Sequence, residues 1–294
     1  MRRATSSKAG FVAVIGRTNA GKSTLINAIL KERIALVSHK AGATRKRQKA
    51  IVTYKDAQIV LIDTPGIEKR GRKLDEFMQK EMMRSLQEAD LVYFLADMAD
   101  DTAAYERFLA VCRLPHIVVL TKMDNFTLQE RLRRIARYQP FSARFLGLVP
   151  ISAKRGDFAA LLEETVKHLP EHPFYYDPDE LTDLSVREIC KEMIREALFD
   201  KLSDEVPYSA DVIVDSFSEG QRIDKIYARV VVEKESQKAI VIGSGGSAIK
   251  RVGSRSREMI ERFLGKKVFL SLSVEIMENW RNGTINLAKF GYDS

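Results

Sequence analysis

The residues that could do chemistry begin where an apolar run ends. Phe11-Val12-Ala13-Val14-Ile15 leads into Gly16-Arg17-Thr18-Asn19-Ala20-Gly21-Lys22-Ser23-Thr24, and Leu25, Ile26, Ile29 and Leu30 then recur with helical spacing. Strand, glycine-bracketed loop and helix together form the context in which GxxxxGK[ST] cradles phosphate. Gly16 and Gly21 allow backbone conformations and close approach that a Cβ would block, so that successive N–H groups converge on phosphate oxygens at a helix N-terminus. Lys22 supplies a point charge, and the Ser23 hydroxyl is a hard oxygen suited to magnesium.

Three further stretches follow apolar strands in order. Asp63-Thr64-Pro65-Gly66 offers a carboxylate for the magnesium shell and a glycine N–H for a terminal phosphate, so the segment could sense whether that phosphate is present. Thr121-Lys122-Met123-Asp124 follows Ile117-Val118-Val119-Leu120. An Asp carboxylate accepts two hydrogen bonds side by side, which matches the adjacent N1–H and exocyclic amine of guanine and finds no such pair on adenine. Ser152-Ala153-Lys154 adds a backbone contact for the purine oxygen. Asp124 argues against a P-loop kinase of small molecules.

The elements that must position these groups alternate. Strands are expected over 50–54 and 58–63 as a hairpin, then a helix over 73–89, a strand 91–95, a helix 104–112, a strand 116–120, a helix 128–137, a strand 148–151 and a helix 158–168. Residues 33–49 show little periodicity and read as a long flexible loop. The result is an α/β domain with a doubly wound, mostly parallel sheet, whose ligand lies at the carboxyl ends of the strands.

The alternation stops at Leu169-Pro170-Glu171-His172-Pro173 and the aperiodic residues after it. We expect a first domain over 1–173, a linker over 174–183 and a smaller α+β domain over 184–294. Within the last, the pattern gives a helix over 184–202, a stop at Pro207, strands at 211–216 and 225–233, a helix ending near 264 and a strand over 268–276. Propensity alone makes 239–242 a strand.

Composition narrows the class. At 294 residues, with 45% hydrophobic and 30% charged, the chain should be globular and not disordered. No apolar run reaches the length of a membrane span, and the basic start lacks an apolar signal core, so the cytoplasm is the expected compartment. Cys112 and Cys190 are isolated and imply neither a disulfide framework nor a zinc site. His168 and His172 have helical ligand spacing, but Pro170 and Pro173 interleave with them, so they read as linker residues.

The net charge of +8 is local: residues 1–175 hold 30 Lys and Arg against 19 Asp and Glu, whereas 176–294 hold 18 against 21. The excess gathers at 40–49, 69–73 and 250–267, and three such runs in one chain raise the expectation of a nucleic-acid partner.

The ordered set resembles the GTPase domain of the translation-factor-related class. Arg17-Thr18-Asn19 and Lys40-Ala41-Gly42-Ala43-Thr44-Arg45 are similar to the Era family of ribosome-assembly GTPases. Glu205-Val206-Pro207-Tyr208-Ser209, the stretch Val241-Ile242-Gly243-Ser244-Gly245-Gly246-Ser247-Ala248-Ile249 and Trp280 resemble that family's type II KH domain, so the resemblance covers nearly the whole chain. It implies a short helix where propensity reads a strand at 239–242.

The resemblance also implies the sites. Nucleotide contacts fall on Gly16, Asn19, Ala20, Gly21, Lys22, Ser23, Thr24, Asp63, Gly66, Thr121, Lys122, Asp124, Ser152, Ala153 and Lys154, with Lys22, Thr44, Gly66 and Asn19 acting in hydrolysis and Ser23, Thr44 and Asp63 on magnesium. RNA falls on Ile242, Gly243, Ser244, Gly245, Gly246, Ile249, Lys250 and Arg251. Three departures matter. Thr121 stands where Asn is usual and lacks its amide, so a tether to the phosphate loop and a base contact are expected to weaken. Ala43 replaces a usual Thr, leaving Thr44 to close on magnesium. No lysine lies between the outer glycines of Gly243-Ser244-Gly245-Gly246, so a phosphate contact passes to Lys250 or Arg251.

The implied function is hydrolysis of GTP to GDP with Mg2+, coupled to binding the 3′ end of small-subunit ribosomal RNA during maturation of that subunit, by a chain expected to be a monomer. Asn19 makes K+ a candidate cofactor. The alternative is a GTP-dependent RNA-modification or membrane-surface switch, in which the basic runs meet anionic lipid as a weak peripheral association.

Overall fold

The structure, a computed structural model, describes residues 7–37, 43–65, 72–202 and 205–292. These residues pack into two units. The first is drawn from Met1–Ala35, Thr44–Ile67 and Lys80–Asp183, and the second from Leu36–Ala43, Glu68–Gln79 and Leu184–Ser294.

The first unit opens with β1 (Lys8–Gly16), α1 (Lys22–Leu30) and the strands β2 (Gln48–Tyr54) and β3 (Ala57–Asp63). It continues through α2 (Lys73–Glu88), of which residues 80–88 belong here, then β4 (Leu91–Asp97), α3 (Ala103–Val111), β5 (His116–Thr121), α4 (Leu128–Ala136), β6 (Gly147–Pro150) and α5 (Ala159–His168). The sheet order is β2-β3-β1-β4-β5-β6, parallel except for the β2–β3 hairpin. Its central strands are nearly continuous apolar runs because both faces are covered. Period-two alternation divides β1: Val12 and Val14 join one core with Leu25, Ile26 and Leu161, while Ala13 and Ile15 join the other with Phe94, Tyr105 and Phe108. Gly16 therefore ends a largely buried strand between two parallel neighbours, and the loop after it opens at the carboxyl edge of the sheet.

One expectation about the connections needs correction. Within 33–49 the described residues form no helix or strand before Gln48, yet Ile34, Ala35, Leu36, Ala43 and Arg45 are buried, so those residues of the expected flexible loop are packed. The expected linker is also packed. The buried Gln58 amide donates to the Tyr176 carbonyl at 2.9 Å and accepts from the N–H groups of Tyr175 and Tyr176 at 2.8 and 3.1 Å. Thr182 bridges to Ala50, and the Ile51 N–H donates to the Leu181 carbonyl at 2.9 Å, which covers the outer edge of β2. His168 is the last residue of α5 and lies 3.1 Å from Glu164, while His172 stacks on Tyr175.

The second unit holds α6 (Val186–Lys201), α7 (Val206–Ser209), β7 (Asp211–Ser218), β8 (Ile223–Val232), α8 (Glu235–Ile242), α9 (Ser247–Leu264), β9 (Lys267–Ile276) and α10 (Thr284–Lys289). Ser185 and Glu188 form a capping box that starts α6. The sheet runs β7-β8-β9, with β8 antiparallel to β7 and parallel to β9, and α6 and α9 pack on it through Ile189, Met193, Ala197, Val252 and Ile260. Pro207 is not a plain stop, since it sits in the first turn of α7, where its missing N–H costs nothing. The strand suggested for 239–242 is the end of α8: Gln237 Oε1 accepts from the N–H groups of Glu233 and Lys234 at 2.9 and 3.1 Å, a local cap that outweighs β propensity. Fully buried Trp280 donates its indole N–H to the Ser209 carbonyl at 2.9 Å and packs with Leu74, Phe77 and Met78 from the first half of α2.

Candidate functional site

Gly21 caps α1 at φ 94°, in the left-handed region open to glycine, and Asn19 also sits at positive φ, 63°. A Cβ on Gly16 would stand 2.5 Å from the Leu95 carbonyl oxygen, so only glycine fits where β1 enters the loop. Lys22 folds back over this loop: its Nζ donates to the carbonyls of Gly16 and Arg17 at 2.9 and 3.0 Å. Burial lowers the Lys22 pKa, and the Asp63 carboxylate opposes that shift.

Three residues expected on magnesium come together. Ser23 Oγ donates to Asp63 Oδ2 at 2.7 Å and lies 3.3 Å from Thr44 Oγ1. Asp63 is buried, and its Oδ1 has no hydrogen-bond partner. Burial pushes its pKa up to about 6, against the pull of Lys22, the Ser23 hydroxyl and the Thr64 N–H. Two hydroxyls and a carboxylate with an unspent buried oxygen are the hard donors that magnesium takes, with its remaining positions left to phosphate and water. These residues fit that ion. Thr64, whose hydroxyl donates to the Val14 carbonyl at 2.7 Å, fixes the strand end that carries Asp63. Gly66 lies outside the described residues.

The base side is assembled from the ends of β5 and β6. Lys122 takes φ 59° and starts the tight turn over Met123–Asn125, and the Met123 N–H donates to the Ile151 carbonyl at 3.2 Å. Ser152 Oγ donates to Asp124 Oδ1 at 2.8 Å, and Lys154 Nζ lies 3.4 Å from Oδ2. The Ser152 hydrogen bond, more than any other group, lowers the Asp124 pKa, so the carboxylate is ionised and acceptor-only at neutral pH. Ala153 lies between these two contacts. The expectation for Thr121 is corrected in part: its hydroxyl donates to the Ala20 carbonyl at 2.8 Å, so the tether to the phosphate loop is kept without an amide. Asp97, at the end of β4, holds Lys122 Nζ at 2.7 Å. Sequence reading missed Asp97, although a charged residue closing an apolar strand next to β5 is the signal that could have found it.

In the second unit, α8 and α9 are joined through Gly243, Gly245 and Gly246, at φ 72°, 56° and 78°. A Cβ on Gly243 would meet Ala248 Cβ at 2.7 Å, whereas one on Gly245 or Gly246 would meet nothing within 4 Å. The first glycine closes the turn, and the other two leave backbone open to a ligand. Ser244, Lys250 and Arg251 are exposed beside it, while Ile242 and Ile249 are half-buried.

The basic runs contribute less free charge than expected. Arg255 pairs with Asp200 and Glu258, Arg262 with Glu258, Lys266 with Asp224 and Lys267 with Glu261. Beyond Lys250, Arg251 and the exposed Arg257, the basic residues over 250–267 are thus paired with carboxylates. In the first unit Arg47 pairs with Glu81 and Glu88. Lys40, Lys69 and Arg70 lie outside the described residues.

Comparison with known proteins follows the same division. Residues 11–122 match the family model described as a 50S ribosome-binding GTPase, and residues 194–281 match that of the KH domain. The chain is 47% identical over 292 residues to GTPase Era of Helicobacter pylori strain P12, spanning 97% of each, and 41% identical to GTPase Era of Campylobacter fetus subsp. fetus, spanning 94% of this chain and 96% of that one. Among solved structures it matches Era in complex with MgGDPNP and nucleotides 1506–1542 of 16S ribosomal RNA, at TM-score 0.92 and 32% identity over 98% of this chain and all of the other. A single-substitution variant of Aquifex aeolicus Era bound to GDP.AlF4- matches with the same TM-score of 0.92, at 32% identity over 98% of this chain and all of the other.

Proposed function

The chain belongs to the family of GTPase Era and is a GTPase, and we propose that its KH unit binds the 3′ end of small-subunit ribosomal RNA under control of the bound nucleotide during maturation of that subunit. The observation that carries the nucleotide half is the Ser23 hydroxyl held between Asp63 and Thr44, with one Asp63 oxygen buried and unspent.

We assign the following roles to the chain's own groups. Backbone N–H groups from Gly16 to Ser23 cradle the phosphates at the start of α1. Lys22, held against two carbonyls, exchanges them for phosphate oxygens. Ser23, Thr44 and Asp63 hold magnesium, and negative charge developing on the phosphoryl oxygens is neutralised by that ion when it is bound. Asp124, aligned by Ser152 and Lys154, selects guanine. Ile67 follows Gly66 and is apolar, so no side chain at that position orients water, and turnover by the isolated chain should be slow. A potassium ion held by Asn19 would offset part of this deficit; equal hydrolysis rates in sodium and potassium chloride at one ionic strength reject that role.

For RNA, Gly245 and Gly246 offer open backbone, and Lys250 and Arg251 offer charge for about four single-stranded nucleotides. We place the protein in the cytoplasm. Among the described residues no helix is long and apolar enough to cross a membrane.

The test is the affinity for single-stranded RNA carrying the 3′-terminal sequence of small-subunit ribosomal RNA. It is measured with a non-hydrolysable GTP analogue, with GDP and with no nucleotide, at one salt concentration because phosphate contacts are salt-sensitive. Coupling of about 1–3 kcal/mol appears as roughly a 5–150-fold difference, and RNA must tighten GTP by the same factor. Indistinguishable affinities in all three states would leave two independent modules and end the switch proposal.

A further inference from the structure

The helix α6 carries three side chains whose contacts are not explained by packing against the sheet. Arg195, 2% exposed, donates Nη1 to both carboxylate oxygens of Glu192 at 3.0 and 2.7 Å and brings Nε within 3.3 Å of Asp211. Its Nη2 donates to the Ala43 carbonyl at 2.9 Å. The neighbouring Glu196, also buried, accepts from the Val37 N–H through Oε2 at 3.3 Å. One turn further, Phe199 packs with Leu36 and Ala43, and the Tyr208 ring meets it edge-on.

Residues 195, 196 and 199 thus hold the chain at Val37 and again at Ala43, and both points belong to the second unit. A buried guanidinium is costly to desolvate and needs its carboxylates. Glu192 and Asp211 already supply those, with the Tyr292 hydroxyl donating to Asp211 Oδ2 at 2.5 Å. The remaining arm of the planar fork is spent on a main-chain carbonyl 152 residues away in sequence. An aliphatic side chain could cover the same core; only a rigid donor fixes that carbonyl in direction.

One peptide bond after Ala43 comes Thr44, whose hydroxyl lies 3.3 Å from Ser23 Oγ. We infer that Arg195, supported by Glu196 and Phe199, is a positioning residue for Thr44: by orienting the Ala43 carbonyl it sets the peptide plane from which the Thr44 hydroxyl approaches Ser23. The inference rests on the nucleotide reading above, in which Thr44 holds magnesium; because a switch segment of this kind is ordered by the terminal phosphate with its magnesium and released on hydrolysis, the Thr44 contact belongs to the triphosphate state and not to GDP. The network in the RNA-binding unit then has a defined effect on the hydrolytic site, exerted along the backbone.

The experiment uses the full chain and compares the unaltered protein with Arg195→Met and Glu196→Ala. Binding of a non-hydrolysable GTP analogue and of GDP is titrated against magnesium, and GTP turnover is measured in parallel. For Arg195→Met, the magnesium needed for half-maximal analogue binding rises and kcat falls by about 5-fold or more, while GDP affinity stays within about 2-fold. Glu196→Ala leaves the Arg195 ion pairs in place and moves the same readouts in the same direction; it decides the matter if Arg195→Met does not fold. Unchanged magnesium requirement and kcat in the folded variants overturn the inference, as does an equal loss of GDP and analogue affinity, which marks general loosening of the site. Failure of the unaltered chain to bind GTP overturns the nucleotide reading and this inference with it.

Discussion

The Thr121 hydroxyl donates to the Ala20 carbonyl at 2.8 Å, joining the end of β5 to the phosphate loop across 101 residues of sequence. An Asn at this position would make such a tether with its amide; here a shorter side chain does so because the two segments approach closely. Thr121→Val keeps the shape and removes the donor, leaving the carbonyl without that bond. It should lower unfolding free energy by about 1–3 kcal/mol and weaken GDP and GTP alike, as measured by denaturant titration and nucleotide binding. Full stability with unchanged affinity would show that the tether is dispensable.

Asp124, ionised and aligned by Ser152, should determine base choice. In Asp124→Asn one acceptor becomes a donor, so preference should move toward xanthine nucleotides, whose exocyclic oxygen accepts. Competition between GTP and XTP measures it, and persistence of GTP selectivity in the variant would remove Asp124 from the guanine contact.

The glycines of the α8–α9 turn should separate fold from function. Gly243→Ala places a Cβ 2.7 Å from Ala248 Cβ and should destabilise the second unit. Gly246→Asp points its side chain into open space, costs about 1–2 kcal/mol for the left-handed conformation, and sets a negative charge where phosphate would approach. It should lose RNA affinity while retaining its circular dichroism spectrum; equal RNA affinity would move the binding site to the first unit's basic residues.

His116 gives the first unit a pH dependence of known sign. Its Nδ1–H faces the Leu114 carbonyl at 3.0 Å and its Nε2 accepts from the Tyr105 hydroxyl at 2.7 Å, so the buried ring is neutral. Burial lowers its pKa, partly opposed by the Leu114 contact and reinforced by Arg144. The unfolded chain therefore binds the proton more readily. Stability from this residue is complete above the unfolded value of about 6.5 and falls as pH drops through it toward the folded value. Denaturant midpoints between about pH 5 and 7.5 should show this slope, and His116→Gln should flatten it. An unaltered slope in the variant would assign the pH dependence to other groups.

The sequence by itself determined the groups whose geometry is local. GxxxxGK[ST], the Asp63 and Asp124 segments and the glycine turn before α9 are contiguous motifs whose residue types dictate backbone torsions, a capped helix start or a strand-end turn within a few positions, and alternating periodicity fixed the strands and helices between them. Tertiary structure decided what depends on distant partners. Whether residues 174–183 hang free or pack on the β2–β3 hairpin turns on Gln58 of β3 finding three backbone groups of Tyr175 and Tyr176 there. Whether a basic run is free charge turns on which carboxylates fold beside it, as Asp200 and Asp224 do for Arg255 and Lys266. The hold of Arg195 on Ala43 joins residues 152 apart. Chain-distant hydrogen bonds leave no periodic trace in the sequence, because either partner alone is an ordinary polar residue until the fold brings the two together.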